Sequence, residues 1–412
     1  MEYCCIFHAN LNYAYLLPEK YEFVIRESYE LILDTMREKF PDMKFVLEGS
    51  GFTVDTIAET CPDVMAKLRA AVESGQCEFM GSPYAHLMMS NFPEEDDIWA
   101  LRFSQEAYER HLGRRIESGW NPECGWQQYV PHAFQKTGFK QITLDFDAYA
   151  LSTRDEVRKI EYNPDKHACY GLDLPWYELS GDDRALRFPF RDVVPGLNGF
   201  ARTDRICQPA LRWLMGLYEF DAYAEPIRKH SAEIEGDEQG ALVIFAEDAE
   251  YIGTSGWFYL KYYSQPDRVF ERMPDAEEKL CFFLNWLRDE MDGRLVTFDH
   301  ICNDLPPLEG KYYCEDDLAW HRAWSTAWRE TPESLHFDPQ IDKLRDRVHK
   351  AEQDAKSDDD RQKIRRAWFH LTCAANSDGR WPPPPEKVHP FNRQWVQDHI
   401  DKCDAVLGDL GV

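Results

Sequence analysis

Short apolar runs alternate with longer stretches whose apolar positions recur every three or four residues over most of the first 300 residues. The runs Tyr3–Phe7, Lys44–Leu47, Cys77–Met80, Ile116–Trp120, Lys140–Leu144, Leu242–Ala246 and Leu295–Phe298 read as buried strands. Between them, Glu22–Phe40, Val54–Ser74, Asp97–Leu112 and Ala276–Met291 read as amphipathic helices. This alternation predicts an α/β fold with a parallel sheet, and seven strands suit an incomplete TIM-like barrel, although an open doubly wound sheet gives a similar string. The rhythm breaks over about 151–200, rich in Asp, Arg, Pro and Gly, which is expected to be an inserted subdomain over the barrel mouth. Helical spacing returns over Cys207–Ile234.

After Asp299 the texture changes again. Helices are expected at Asp338–Lys356, Asp360–Ala375 and from about Asn392 to Leu407, with Pro382–Pro385 ending the second. The expected division is a barrel over residues 1–305 and a C-terminal α-helical bundle over 306–412.

Polar residues gather just past each run. His8 and Asn10 follow the first, Glu48 and Ser50 the second, and Ser82, Tyr84 and His86 the third. Trp120 and Glu123 follow the fourth, Asp145 and Asp147 the fifth, Asp248 and Glu250 the sixth, and Asp299 and His300 the seventh. Loops after barrel strands share one face, where active sites are built. Helix caps explain single cases, since Asp, Ser and Asn favour that position. They do not readily explain seven in succession.

Two carboxylates stand out. Glu123 lies in Gly119-Trp120-Asn121-Pro122-Glu123-Cys124-Gly125-Trp126, where Pro122 restricts the backbone and the tryptophans can wall a sugar site. The plain alternative is a glutamate capping a helix at Gln127–Thr137. Asp248 and Glu250 end the very apolar run Ala241–Ala246; two apart on an extended chain, they can share a side, or serve only as salt-bridge partners. A carboxyl pair across one cleft is the minimal equipment for glycosidic cleavage, one group as nucleophile and the other as general acid. Asp248 suits the acid role if burial raises its pKa.

Composition narrows the partners. A net charge of −27 disfavours nucleic acid and anionic membrane, which require a basic footprint. The aromatic fraction of 14% suits stacking on sugar faces, although rings more often fill cores. The 12 cysteines show no C-x-x-C pair, no signal peptide or membrane-length apolar run is evident, and a reducing cytoplasm is the expected location. Cys124 adjoins Glu123, but no Cys/His/Asn arrangement supports a thiol enzyme.

Five short motifs resemble those of glycoside hydrolase family 57, the retaining α-glucan-active enzymes. They are Phe7-His8-Ala9-Asn10-Leu11, in which the family's His-Gln-Pro is replaced, Gly49-Ser50-Gly51-Phe52-Thr53, Trp120-Asn121-Pro122-Glu123, Asp248-Ala249-Glu250 with Gly253 following, and Asn376-Ser377-Asp378-Gly379-Arg380-Trp381. The resemblance implies an incomplete seven-stranded barrel, Glu123 as nucleophile, Asp248 as acid/base, and the fifth motif reaching the cleft from the helical region. Candidate substrate-binding residues are His8, Asn10, Ser50, His86, Trp120, Trp126, Glu250, Trp257, Asp378 and Trp381, with an oligosaccharide or polysaccharide as partner and neither cofactor nor metal. Two alternatives stay open. One is a zinc-dependent α-mannosidase-like or polysaccharide deacetylase-like enzyme using His8, Asp145 or Asp147, and a further histidine. The other is a non-catalytic glycan-binding protein.

Overall fold

A computed structural model describes residues 1–13, 16–158, 183–216, 218–232, 240–254, 270–319, 326–381 and 387–412. Nine described strands form one curled sheet: β1 Glu2–Ala9, β2 Phe45–Ser50, β3 Cys77–Ser82, β4 Ser118–Gly119, β5 Gln141–Asp145, β6 Phe190–Val194, β7 Leu197–Arg202, β8 Ala241–Asp248 and β9 Arg294–Leu295. Their order is β6-β7-β5-β4-β3-β2-β1-β8, with β9 beside β1. All pairings are parallel except the β6–β7 hairpin. Among the described residues β6 and β8 are the free ends, so the sheet is a half-barrel flanked by helices.

The two-residue period of a strand sorts its side chains. Cys4, Ile6, Val46, Met80, Trp120, Phe200, Val243 and Ala246 fill the concave side with Val296 and Phe298. Their neighbours Cys5, Phe7, Leu47, Phe79, Leu144 and Phe245 face the helices in a larger core. On β8 the inward positions change parity, from Ala241 and Val243 to Ala246. A bulge causes this: Cys4 pairs with Val243 but Cys5 pairs with Phe245, so Ile244 is the extra residue. Two residues beyond Ala246, Asp248 therefore turns inward, beside His8.

Two sequence expectations change. The interval 151–200 was expected to be an insertion, yet its described residues include β6 and most of β7. The run Leu-Asn-Gly-Phe-Ala-Arg lacks a continuous apolar stretch because Asn198 and Gly199 interrupt it. The seventh expected strand is only β9, paired with Glu2 and Tyr3 at the start of β1. Asp299 and His300 therefore lie at the opposite end from the other strand-end residues. There Asp299 donates its backbone N–H to Glu78 at 2.9 Å, and His300 Nε2 lies 2.9 Å from Glu2.

Helices Pro332–Asp354, Asp358–Ala374 and Pro390–Asp409 pack on one another, and the middle one packs on Glu94–Leu112. Ser357 and Asp360 form a reciprocal capping box at the start of Asp358–Ala374. Trp368 stacks on Trp99 across the helix contact, with ring centroids 5.8 Å apart. Arg345 grips the fully buried Asp96 through two hydrogen bonds of 2.8 and 2.7 Å. Removing one partner of a buried pair strands the other charge, at a cost of about 3–5 kcal/mol. Arg345→Ala should therefore lower unfolding stability in urea by about that amount, and the double replacement Arg345→Met/Asp96→Leu by clearly less.

Candidate active site

The strands' concave face is apolar at the base and polar at the C-terminal end. His8 follows Ile6 by two residues, Glu48 follows Val46, Asp248 follows Ala246, and Arg202 follows Phe200. The same period that fills the core thus delivers these groups into one cleft. The cleft encloses about 930 Å³, including space open to solvent, and its lining includes His8, Asn10, His86, Trp120, Glu123, Asp248, Asp378 and Trp381.

Glu123 sits on a tight turn, Pro122–Cys124, directly beyond β4. Asn121 closes that turn, its side-chain amide donating to the Gly125 carbonyl at 2.6 Å. Glu123 has φ 54° and ψ 15°, and Cys124 φ 50°, in the left-handed region that costs ordinary residues energy. The next helix starts only at Val130 and carries no side-chain cap, so Glu123 does not cap it.

His8 stands at the centre. Its Nδ1 pairs with the fully buried Glu48, its Nε2 lies 4.0 Å from Asp248 Oδ1, and its ring stacks on Trp120 with centroids 5.3 Å apart. Burial would depress the imidazole, but the Glu48 carboxylate outweighs it and raises the pKa to about 10. His86, with its ring centroid 4.9 Å from that of His8, takes the opposite course. Burial and the neighbouring His8 charge hold it well below the ordinary range, and hence neutral. Burial raises Glu123 to about 8; Asp378 and Asp248 push the same way, while the Ser377 hydroxyl and His8 oppose them.

The turn after Asp248 is pinned from outside the sheet. A π-helical segment, Ile25–Glu30, runs so close that a Cβ on Gly253 would lie 1.7 Å from the Glu27 carbonyl oxygen. Ser28 donates its hydroxyl to the Glu250 carbonyl at 2.7 Å and accepts the Gly253 amide at 3.1 Å. The Glu250 side chain is fully buried, accepts the Asn10 backbone N–H at 2.6 Å and the Tyr29 hydroxyl, and does not line the cleft. Burial and Asp248 raise its pKa to about 8. From the other side, Asn10 donates its side-chain amide to Asp378 at 2.9 Å. The Asn376–Trp381 segment is fixed to the barrel by the Asn376 amide on the Ala85 carbonyl at 2.8 Å and the Ser377 amide on the His86 carbonyl at 3.1 Å.

Other predicted residues have structural roles. Ser50 caps helix Gly51–Thr60 by accepting the Thr53 amide at 3.2 Å. Trp126 packs edge-on against Tyr312 in the core, away from the cleft, with centroids 5.0 Å apart. Trp257 lies outside the described residues. The sequence reading did not single out Tyr13, Arg202, Gln208, Glu247 or Tyr251, all of which line the cleft. The signal for Arg202 was present, as a polar residue ending the unrecognised β7 just before the Thr203 cap.

Arg202 also answers the zinc alternative. Asp145, Asp147 and Asp204 bring their carboxylates together, but the Arg202 guanidinium pairs with Asp204, approaches Asp145 at 3.5 Å and donates to Glu247 at 2.8 Å. Burial and the Asp147 charge raise Asp145 to about 8. Among the described residues, His8 belongs to no group of three potential metal ligands.

Glycosyl hydrolase family 57 matches residues 5–264, and the chain belongs to this family. It is similar to an α-amylase from Pyrococcus furiosus, at 23% identity over 277 residues, covering 66% of this chain and 36% of that protein. A 4-α-glucanotransferase from Thermococcus kodakarensis is 24% identical over 257 residues, covering 61% of this chain and 33% of that protein. The chain thus spans about a third of the length of these curated relatives. The fold is similar to that of a family 57 branching enzyme from Thermococcus kodakaraensis, with TM-score 0.71, 13% identity and coverage of 99% and 90% of the two chains. Among the described residues no helix is long and apolar enough to cross a membrane.

The His8–Glu48 pair generates a prediction. Since the folded His8 pKa of about 10 exceeds the ordinary 6.5, the pair's stabilisation is complete below pH ~6.5 and is lost as pH rises through about 10. In Glu48→Gln burial should dominate, so His8 should titrate below pH ~6.5 by NMR and the extra stability at acid pH should vanish.

Proposed function

We propose that this protein is a retaining α-glycosidase or transglycosylase acting on α-glucan or related α-linked saccharides. The observation that carries the reading is the convergence of Glu123 and Asp248 on one cleft: each lies 4.0 Å from one of two neighbouring imidazoles, His86 and His8. Glu123 attacks the anomeric carbon while Asp248 protonates the departing glycosidic oxygen. A covalent glycosyl-enzyme results, and Asp248 then takes a proton from water or from an acceptor sugar hydroxyl. The α-amylase and 4-α-glucanotransferase relatives support both fates of that intermediate. Trp120 and Trp381 supply aromatic walls, and His8, Asn10, His86 and Asp378 supply polar groups for the sugar in the reacting position. A seven-strand barrel core fits the parallel path from β7 to β8.

One observation favours a second reading with the roles exchanged. Burial leaves a proton on Glu123 up to about pH 8, and the His8 imidazole, protonated up to about pH 10, lies 4.0 Å from Asp248. The pH dependence of kcat/KM separates the two. A nucleophilic Glu123 must be ionised, so activity should fall as pH drops below about 8; an acidic Glu123 would give loss above about 8 instead. Glu123→Gln should lose turnover by roughly 10⁴-fold or more while staying folded. With azide and an α-glycoside bearing a good leaving group, Glu123→Ala should form the β-glycosyl azide and Asp248→Ala the α-anomer. The reverse anomers would exchange the roles. Full activity in Glu123→Gln would overturn the assignment, and tight glucan binding without turnover in the unaltered protein would leave only a glycan-binding protein.

A further inference from the structure

We infer that Ser377 is a positioning residue that holds the Glu123 carboxylate and, through the same hydroxyl, fixes which nitrogen of His86 carries its proton. This rests on the reading of Glu123 as the nucleophile. Ser377 Oγ lies 3.1 Å from Glu123 Oε1 and 3.3 Å from His86 Nδ1. Above about pH 8 the Glu123 carboxylate is ionised and only accepts, so Ser377 must donate its single proton to it. Its oxygen is then left to accept, and His86 must supply Nδ1–H. The Nε2 of His86 therefore bears a lone pair. It is buried and has no hydrogen-bond partner, in a residue that lines the cleft. That lone pair suits a hydroxyl of the bound sugar, which would donate to it.

The geometry around this chain of bonds is over-determined. Ser377 is fully buried, its amide is bound by the His86 carbonyl at 3.1 Å, and Leu87 and Asn376 form a β-bridge beside it. Both ends of the chain, His86 and Glu123, have backbone φ near +55°. Strain held at two sites joined by one hydroxyl marks a built arrangement rather than a casual contact.

The groups facing Glu123 are Asp378 beside Ser377, His8 on β1, His86, and Asp248 at the end of β8. Beside them, the hydroxyl of Ser377 stabilises the carboxylate without adding a charge. Its loss in Ser377→Ala should move the acid limb of kcat/KM upward by about one pH unit, a roughly tenfold loss at pH 7 that recovers at alkaline pH. Ser377→Thr should restore the wild-type limb. In the unaltered enzyme above about pH 8, where Glu123 is ionised, ¹⁵N shifts of His86 should report the Nδ1–H form, which keeps a test available should the alanine variant not fold. An unmoved limb in folded Ser377→Ala, or an Nε2–H form of His86, would overturn the inference while inactive Glu123→Gln kept the nucleophile assignment standing. Active Glu123→Gln would instead remove the reading beneath it.

Discussion

The protonated imidazole of His8, buried against Glu48 and Trp120, is the interaction on which the cleft depends. Glu123, Asp248 and Asp378 converge where water is largely displaced, and mutual repulsion would drive them to take up protons or move apart. A fixed cation at the bottom of the cleft offsets that repulsion. A buried ion pair is a poor source of stability by itself, since desolvation consumes much of the Coulombic gain. Here its value lies in position. Glu48 holds Nδ1, so the Nε2 edge faces Asp248, and the imidazole charge is directed at the carboxyls of the cleft.

That arrangement requires β1, β2 and β8 to present their terminal side chains inward together. Strict alternation from Ala241 and Val243 would aim Asp248 at the helices, because it lies an odd number of residues from each. The bulge at Ile244 corrects this, and a one-residue register shift is the cheapest way to re-aim a strand end while keeping the apolar base intact. The π-helical segment Ile25–Glu30 solves the next problem, clamping the turn after Asp248 so closely that only glycine fits at position 253. Both devices are departures from regular geometry, and both act on the same acidic segment.

This explains which parts were legible in the sequence. Period and apolar runs revealed six strands of the sheet and most helices, because burial imposes those patterns directly. The strand β7 was hidden, since Asn198 and Gly199 interrupt its apolar face and its polar end belongs to an ion-pair cluster. Glu250 was expected in the cleft on the assumption of an extended chain past Asp248; the chain instead turns there, and the side chain goes to Asn10 and Tyr29. Ser50 shows the limit of residue type as a signal. Its hydroxyl has the chemistry of a sugar ligand, but the helix starting at Gly51 uses it first.

The Asn376–Trp381 segment shows why the cleft needs a contribution from the far end of the chain. Strand ends approach the cleft from below and can place groups only on its floor and near wall. The opposite wall must come from another layer, and the helices Pro332–Asp354 and Asp358–Ala374 hold it there: Arg380 binds the carbonyls of Ala374 and Asn376 at 3.0 and 2.8 Å, and its guanidinium is anchored on Asp338. The segment then delivers Ser377 to Glu123 and Asp378 to Asn10. Loss of helix packing would therefore reach the carboxyls through these two contacts before it disturbed the sheet. The helices shape the cleft as well as the stability of the fold, because they place one wall of a site whose other wall is the barrel.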